Sequence, residues 1–220
     1  MLGMGSSERG PRWRPVPKYY PPQRHTPPME IDPLLETTVE SHLIHEGSYL
    51  RLRRDTVQDG RGRRHNRDIV EHPGAVAILA VTGDDLLLVR QFRTAAARVL
   101  LEIPAGTLDR RSDGRIESPD VAAPRELAEE TGHRAEHWRR LGSFWTVPGF
   151  ATEEMHLYLA TGLSPVPGYA GPQADEPLTL ERLPWRELLA MGDRGEVADV
   201  KTLVGVFWLA RLAERGERFS

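Results

Sequence analysis

Three glutamates lie close together in the segment Arg125-Glu126-Leu127-Ala128-Glu129-Glu130, which is followed by Thr131-Gly132. On a helix, Glu126, Glu129 and Glu130 stand at positions i, i+3 and i+4, so their carboxylates share one face. Like charges at this spacing repel one another, and Arg125 supplies only one compensating cation. The simplest further counter-charge is a divalent cation, and all-oxygen ligands favour Mg²⁺ or Mn²⁺.

An acidic run on a helix is often only a solvated surface, and spacing alone does not separate that interpretation from a metal site. The preceding residues favour the metal site, because the segment from Gly106 to Gly132 resembles the Nudix box, the signature of the Nudix hydrolases. That signature is G-x5-E-x7-R-E-U-x-E-E-x-G-U, where U is a bulky apolar residue. The matching positions are Glu117, Arg125, Glu126, Leu127, Glu129, Glu130 and Gly132.

The segment departs from that signature in three places. Ten residues rather than five separate Gly106 from Glu117, which predicts an enlarged loop at 110–115. Pro124 precedes Arg125 and lacks an amide donor, so we expect a helix that begins there or one that begins near 118–119 and bends. His133 occupies the last apolar position. None of the departures affects the metal-binding glutamates.

Composition excludes several classes of protein. A chain of 220 residues is long enough for one domain with additions, and its net charge of −3 does not indicate nucleic-acid binding. The chain has no cysteine, which excludes disulfides and thiolate catalysis. It has neither an apolar run of membrane-spanning length nor a secretory-type leader at its start, so we expect a cytoplasmic protein without a membrane partner.

Residues 1–35 are rich in proline and arginine and predict an extended tail rather than a helix or sheet. This tail is either flexible or an arm that binds a partner through Trp13, Tyr19 and Tyr20, and the sequence does not decide between the two. The last part of the chain predicts two helices, at 185–191 and 200–214, and the apolar stripe of the second favours packing over ligand binding.

Residues 36–72 form a second unit with the pattern of three short strands, at 37–44, 49–53 and 67–70. Three antiparallel strands before a Nudix core resemble the N-terminal sheet of ADP-ribose pyrophosphatases. In that family the sheet forms a homodimer and contributes arginines to the partner's substrate site. The resemblance makes Arg51 and Arg53 substrate-binding candidates, with Arg54 beside them.

Residues 73–220 carry the predicted Nudix domain. A continuous apolar run at 75–81 predicts a strand that is covered on both faces. The motifs Gln91-Phe92-Arg93 and Glu102-Ile103-Pro104-Ala105-Gly106 are similar to those of the ADP-ribose and nucleotide-sugar branch of the family. The resemblance implies that Arg93 contacts the diphosphate or ribose, that Glu102 lies in the substrate cleft, and that the Ala105 carbonyl joins the metal ligands.

Two loops after the box are expected to carry further acidic groups. Strands predicted at 138–146 and 155–160 flank a Pro-Gly loop that is similar to the ADP-ribose pyrophosphatase loop, with Glu153 as its acid and Phe150 as a packing or stacking residue. A proline- and glycine-rich stretch at 165–177 precedes a strand at 178–180. By resemblance it supplies the general base, with Glu176 the first choice and Asp175 the second. His133 and His137 are not expected to bind metal, because two ligands are too few.

The resemblance implies an α/β protein, a Nudix α/β/α sandwich with a mixed sheet plus the small N-terminal sheet. It implies Mg²⁺- or Mn²⁺-dependent hydrolysis of ADP-ribose to AMP and ribose 5-phosphate. Glu126 and Glu130 would hold the metal with Glu129 beside them, Arg125 would orient a glutamate, and Glu176 would deprotonate the attacking water. Hydrolysis of another nucleotide sugar or dinucleotide stays open, as does a Nudix-fold sensor that binds ADP-ribose without turnover.

Overall fold

The computed structural model describes residues 12–13, 32, 34–171 and 177–219. These residues form a mixed α/β structure, as the sequence predicted. The strands are β1 Arg12–Trp13, β2 Glu36–Glu46, β3 Arg51–Asp59, β4 Arg64–Glu71, β5 Ala75–Thr82, β6 Asp85–Arg93, β7 Arg98–Glu102, β8 Ala105–Thr107, β9 His133–Trp145, β10 Glu154–Pro165 and β11 Leu178–Pro184. The helices are α1 Pro119–Thr131, α2 Trp185–Asp193 and α3 Val200–Glu214, with a short 3-10 turn at Thr94–Ala96.

The first three long strands form a separate antiparallel sheet in the order β2-β3-β4. Each strand is longer than the sequence pattern predicted, and β3 begins at Arg51 because Ser48 and Tyr49 lie in a bend. The turn between β3 and β4 is closed by Asp59, whose Oδ1 accepts the backbone N–H groups of Arg61 and Arg63, each at 2.9 Å. These bonds take the place of ladder partners at the tip of the hairpin.

The large sheet has the order β1-β9-β10-β5-β6-β11, with β7 paired to β6 and β8 paired to β5. It is mixed, because β5 runs parallel to β10 and antiparallel to β6. Every residue of the predicted apolar run at 75–81 is buried. Its alternate side chains enter two different cores.

Helices cover both faces of this sheet. On one face Ala77 and Leu79 of β5 pack with Leu188 of α2 and Val206 and Leu209 of α3. On the other face the neighbouring side chains of β5 pack with α1, in the cluster that contains Val76, Ile78, Ala80, Ala122, Ala123 and Leu127. The predicted α/β/α sandwich is therefore confirmed, and α2 and α3 lie close to their predicted positions.

Helix α1 begins at Pro119 with Ser118 as its N-cap residue, so the earlier of the two predicted starts is the observed one. Pro124 lies inside the helix, where it leaves one backbone carbonyl without its helical donor. The helix ends at Gly132, which adopts the left-handed conformation with φ 65°. The ring of Tyr169 fills the space where a side chain at this position would lie. His133 and His137 follow in β9 and share no helix.

No helix among the described residues is long and apolar enough to cross a membrane.

Candidate active site

A cleft of about 530 Å³ opens where β7 and β8 meet the C-terminal half of α1 and the first turn of α3. Its lining includes the three glutamates of α1, the backbone of the β8 segment, and residues from both predicted motifs upstream. Among the predicted site residues that line it are Arg93, Glu102, Ala105, Arg125, Glu126, Glu129, Glu130 and Glu153. Residues that are far apart in the sequence thus face one cavity.

Glu126 lies against the backbone of Gly106, which closes one side of the acidic cluster. A Cβ atom at position 106 would overlap the Glu126 carboxylate, so a side chain here forces Glu126 to move, and the constraint is one of space rather than of backbone conformation. Burial raises the pKa of Glu126 to about 7, an effect that the neighbouring Arg125 only partly offsets and that the negative charge of Glu129 increases. The negative charge of the buried Glu126 carboxylate is therefore only partly compensated by nearby positive charge.

Arg125 is the cation that holds this acidic cluster together. Its Nη2 atom lies 2.7 Å from Glu117 Oε2, and its Nη1 atom lies 2.7 Å from Glu126 Oε1 and 3.0 Å from Glu129 Oε2. Its hydrogen bonds lower the pKa of Glu117. Arg125 thus contacts these three glutamates, and its Nη2 atom also lies 3.5 Å from Asp109 Oδ2. These contacts suit a residue that orients glutamates.

Glu130 connects the acidic helix to β8. Its Oε2 atom accepts the backbone N–H of Ala105 at 3.0 Å, and the residue is buried. This hydrogen bond brings the Ala105 backbone next to the Glu130 carboxylate, and both residues line the cleft.

These donors suit a hard divalent cation, because all of them are oxygen atoms and the buried Glu126 lacks full charge compensation. The described residues nevertheless contain no group of three or more acidic or histidine side chains that already encloses a metal position. The reason is visible in the contacts, since Glu126 and Glu129 both point to Arg125. Binding a cation here requires these two side chains to give up part of that contact.

Arg93 and Glu102 form a paired contact in the same cleft. Arg93 Nε donates to Glu102 Oε1 at 2.8 Å and its Nη2 donates to Glu102 Oε2 at 2.7 Å. Although burial alone would raise the pKa of Glu102, the hydrogen bonds and charges of Arg93 and Lys201 lower it. Both residues line the cleft as predicted, but they contact each other.

Sequence reasoning missed two residues in this part of the cleft. Lys201 is buried and its Nζ atom binds Glu102 Oε2 and, at 3.0 Å, Asp199 Oδ1. Asp199 is also the N-cap of α3, since its Oδ2 accepts the backbone N–H of Thr202 at 2.9 Å. The available signal was the cap pattern Asp199-Val200-Lys201-Thr202 at the start of a helix, which places the first turn against a neighbouring element.

Glu153 lines the cleft beside a small group of polar and aromatic residues that the sequence did not indicate. Its Oε2 atom accepts a hydrogen bond from the Thr146 hydroxyl, and its Oε1 atom lies 3.7 Å from His72 Nε2. His72 Nδ1 accepts the backbone N–H of Gly74 at 3.1 Å, and Tyr49 packs edge-on against the imidazole. Burial lowers the pKa of His72, so the ring is neutral near pH 7.

Other predicted residues lie elsewhere. Arg51 faces a neighbouring hollow of about 960 Å³, which shares Tyr49, His72 and Arg93 with the main cleft. Arg53 pairs with Asp55 and Glu71 inside the small sheet and does not line either cavity. Phe150 is exposed and is also outside the cleft, with its carbonyl accepting the N–H of Val70 at 2.7 Å. Asp175 and Glu176 lie outside the described residues.

Comparison with known proteins identifies the class to which this fold and cleft belong. The NUDIX domain family model matches residues 71–203, which include the whole acidic helix and the motifs before it. The fold is similar to a solved structure described as an ADP compounds hydrolase, with a TM-score of 0.70, 21% identity, and coverage of 83% of this chain and 97% of the other.

Named relatives cover most of the chain. It is 39% identical over 79% of its length to a methanol dehydrogenase activator of Bacillus methanolicus, covering 92% of that protein. It is 36% identical over 80% of its length to an ADP-ribose pyrophosphatase of Bacillus subtilis, covering 93% of it. It is 37% identical over 77% of its length to an ADP-ribose pyrophosphatase of Mycobacterium tuberculosis, covering 80% of it.

The chain belongs to the Nudix family, as its box motif predicted. It is a hydrolase that acts on pyrophosphate bonds, which confirms the class of enzyme predicted from the same residues.

Proposed function

We propose that the protein hydrolyses ADP-ribose to AMP and ribose 5-phosphate with Mg²⁺ or Mn²⁺. The observation that carries the proposal is one cleft that is lined both by the three helix carboxylates and by Arg93. A diphosphate presents negative oxygens to both groups, since phosphoryl transfer is catalysed mostly by positioning and charge compensation. The two relatives named ADP-ribose pyrophosphatases support this choice of substrate.

The charged residues of the cleft named above have the following roles in this proposal. Glu126 and Glu130 would hold the metal together with Glu129 and the Ala105 carbonyl. When bound, the cation supplies charge neutralisation of the diphosphate and acidifies a coordinated water molecule. Arg125 keeps the glutamates oriented, and Arg93 binds the diphosphate or ribose beside Glu102.

The proton of the attacking water needs an acceptor within hydrogen-bonding reach. We assign this role to Glu176, with Asp175 as the second choice. Glu153 also lines the cleft. We assign it a supporting role, in which its carboxylate orients the attacking water or the general base.

The small sheet is the basis of our proposal that the protein is a cytoplasmic homodimer. All eleven residues of β2 are exposed, including Val39, Leu43 and Ile44, so the described residues leave an apolar strand surface uncovered. Pairing of two such sheets would cover this surface and bring Arg51 and Arg53 near a partner's cleft. Light scattering of the purified protein tests the dimer, and a monomeric mass would contradict it.

The proposed reaction is tested by incubating the purified protein with ADP-ribose and Mg²⁺ and following AMP release. Glu130→Gln removes one predicted metal ligand while keeping its shape, and we expect a loss of about 100-fold or more in rate. The matched control is Glu214→Gln, because Glu214 is an exposed glutamate on α3 that pairs only with Arg211 at the surface. Full activity in the control and none in the variant supports the proposal.

Substrate choice is tested in the same assay with other diphosphates. Relatives at 30% identity over 68% of this chain are named GDP-mannose pyrophosphatases, so GDP-mannose is the first competitor to measure. A kcat/KM for GDP-mannose above that for ADP-ribose would replace our substrate assignment and leave the chemistry intact. Tight binding of ADP-ribose without release of AMP would favour the sensor function.

A further inference from the structure

A chain of ionic contacts runs across the cleft from α3 to β6. Asp199 Oδ1 contacts Lys201 Nζ at 3.0 Å, Lys201 Nζ contacts Glu102 Oε2, and the same Glu102 carboxylate holds Arg93 by two hydrogen bonds. All four residues line the cleft. Two anions and two cations balance, so the network as a whole is neutral.

Lysine at position 201 is unusual for this chain. Lysine and arginine together number 29, and only Lys18 and Lys201 are lysines. Lys201 is also almost completely buried, with 7% of the residue exposed. A buried ammonium group is costly unless it is fully paired, and apolar residues of the same volume often serve stability as well or better. The position of the ammonium group in the cleft therefore calls for an explanation beyond packing.

The contacts show what the ammonium group does to Glu102. One carboxylate oxygen, Oε1, accepts only from Arg93 Nε, whereas Oε2 accepts from both Arg93 Nη2 and Lys201 Nζ. Glu102 is thus held from two sides and has a fixed orientation. Its paired contact with Arg93 uses the Nε and Nη2 edge of the guanidinium and leaves Nη1 for other partners.

Arg93 is only partly covered, with 39% of its side chain exposed in the cleft. A guanidinium that is held at Nε and Nη2 while 39% of the side chain stays exposed is preorganised for an anion, since little side-chain freedom remains to be lost when the anion binds. Without Lys201, Glu102 would have one cation instead of two, and its orientation would depend on Arg93 alone.

We infer that Lys201 is a positioning residue for substrate binding: it fixes Glu102 so that Arg93 presents its free edge to a diphosphate oxygen. Lys201 itself acts through these two residues, because its ammonium group already binds two carboxylates. The inference rests on the proposed function, in which the diphosphate occupies this cleft.

The test compares steady-state kinetics of ADP-ribose hydrolysis in Lys201→Met, Arg93→Ala and the double variant. We expect KM to rise about tenfold in Lys201→Met while kcat stays within about threefold, because the lost contact serves the bound substrate and the transition state alike. In the Arg93→Ala background the same substitution should raise KM no further, since two residues that act through one group are not additive.

The matched control is Arg211→Met, which removes a cation from the exposed face of the same helix and should leave both constants unchanged. Lys201→Arg keeps the charge and the donors, and we expect its KM to lie within about threefold of the parent value. If Lys201→Met does not fold, Lys201→Arg is used as the test variant instead. A KM in Lys201→Arg as high as that of Arg93→Ala would then overturn the inference.

Three other results are decisive. An unchanged KM in folded Lys201→Met would overturn the inference, as would an equal rise of KM with and without Arg93, which would indicate direct contact between Lys201 and substrate. If the parent protein does not hydrolyse ADP-ribose, the proposed function is wrong, and the inference about Lys201 is tested by binding instead. The binding of ADP-ribose to the same variants is then measured by calorimetry. If Lys201→Met weakens binding when Arg93 is present but not in the Arg93→Ala variant, the result supports the positioning role. If Lys201→Met binds ADP-ribose as tightly as the parent, the result refutes it.

Discussion

A Cβ atom at Gly106 would lie only 2.0 Å from the carboxylate carbon of Glu126, so any other residue at position 106 forces that side chain to move. These two residues belong to different elements, α1 and the short strand β8, and both line the cleft. The space that this glycine leaves is therefore occupied by the carboxylate that we propose as a metal ligand.

Replacing Gly106 by alanine should displace the Glu126 carboxylate from this position. We expect a fall in Mg²⁺-dependent ADP-ribose hydrolysis comparable to that of Glu126→Gln, about 100-fold, because the added methyl group occupies the place of one ligand. Gly149→Ala is the control, since a side chain there meets open space. Equal activity of the Gly106→Ala variant and the parent would show that Glu126 has another productive position.

The pH dependence of stability reports on Glu126 in the metal-free protein. Burial raises the pKa of this group from 4.5 to about 7, so its contribution to the free energy of unfolding is fully present below pH 4.5 and is lost as the pH rises to about 7. We expect the parent to lose stability relative to Glu126→Gln across this window, by up to about 1.4 kcal/mol per pH unit.

Urea unfolding in EDTA at pH 5, 6 and 7 measures this difference. His72 and His156 contribute with the opposite sign, because burial lowers the pKa of both. They are present in both proteins and therefore cancel in the comparison. Parallel stability curves for the parent and Glu126→Gln would contradict the assignment, and saturating Mg²⁺ should reverse the trend because the cation binds the deprotonated group.

Arg125 should be important for stability as well as for activity. Arg125→Met leaves Glu117, Glu126 and Glu129 without their common cation, and Glu117 is almost fully buried. We expect the free energy of unfolding to fall by about 2 to 4 kcal/mol, since removing the cation leaves buried carboxylates without a paired charge. Arg115→Met, at a highly exposed site in the adjacent loop, should change it by less than about 0.5 kcal/mol. Chemical denaturation of both variants decides the matter.

The sequence predicted most of the fold because its signals are local. The apolar run at 75–81, the turn residues after it and the helical pattern at 200–214 each specify one element, and each element is found where it was expected. The start of α1 was ambiguous because Pro124 is compatible with a first turn and with a tolerated interior position, and only packing of the residues before it decides between them.

The residues that line the cleft could be predicted only where they belong to a recognisable sequence motif. The box and the two upstream motifs named Arg93, Glu102 and Glu126 as candidates, and all three line one cavity. Lys201 was missed because its partners, Glu102 and Asp199, come together only when α3 docks on β7, and a single lysine at the start of an apolar helix carries no signal of that contact. Phe150 was predicted by analogy of loop sequence, and it lies outside the cleft because its backbone pairs with the end of β4.

The docking of α3 on β7 depends on a buried hydroxyl group. Thr202 Oγ1 accepts the backbone N–H of Ile103 at 2.8 Å and donates to Asp199 Oδ2 at 2.6 Å, and both Thr202 and Ile103 are fully buried. Thr202→Val keeps the shape and removes the acceptor, so the Ile103 amide loses its partner. We expect a loss of about 1 to 3 kcal/mol in the free energy of unfolding.

Thr202→Ser keeps the hydroxyl and isolates the contribution of the missing methyl group, so it should be the milder of the two substitutions. Hydrogen exchange gives the site-specific measurement: the Ile103 amide should exchange faster in Thr202→Val than in Thr202→Ser, relative to amides in the centre of β5. Because Ile103 follows Glu102 directly, the loosened contact should also raise KM for ADP-ribose in Thr202→Val. Similar exchange rates in the two variants would mean that Ile103 finds another acceptor and that α3 is held on β7 by the Lys201 contacts and apolar packing.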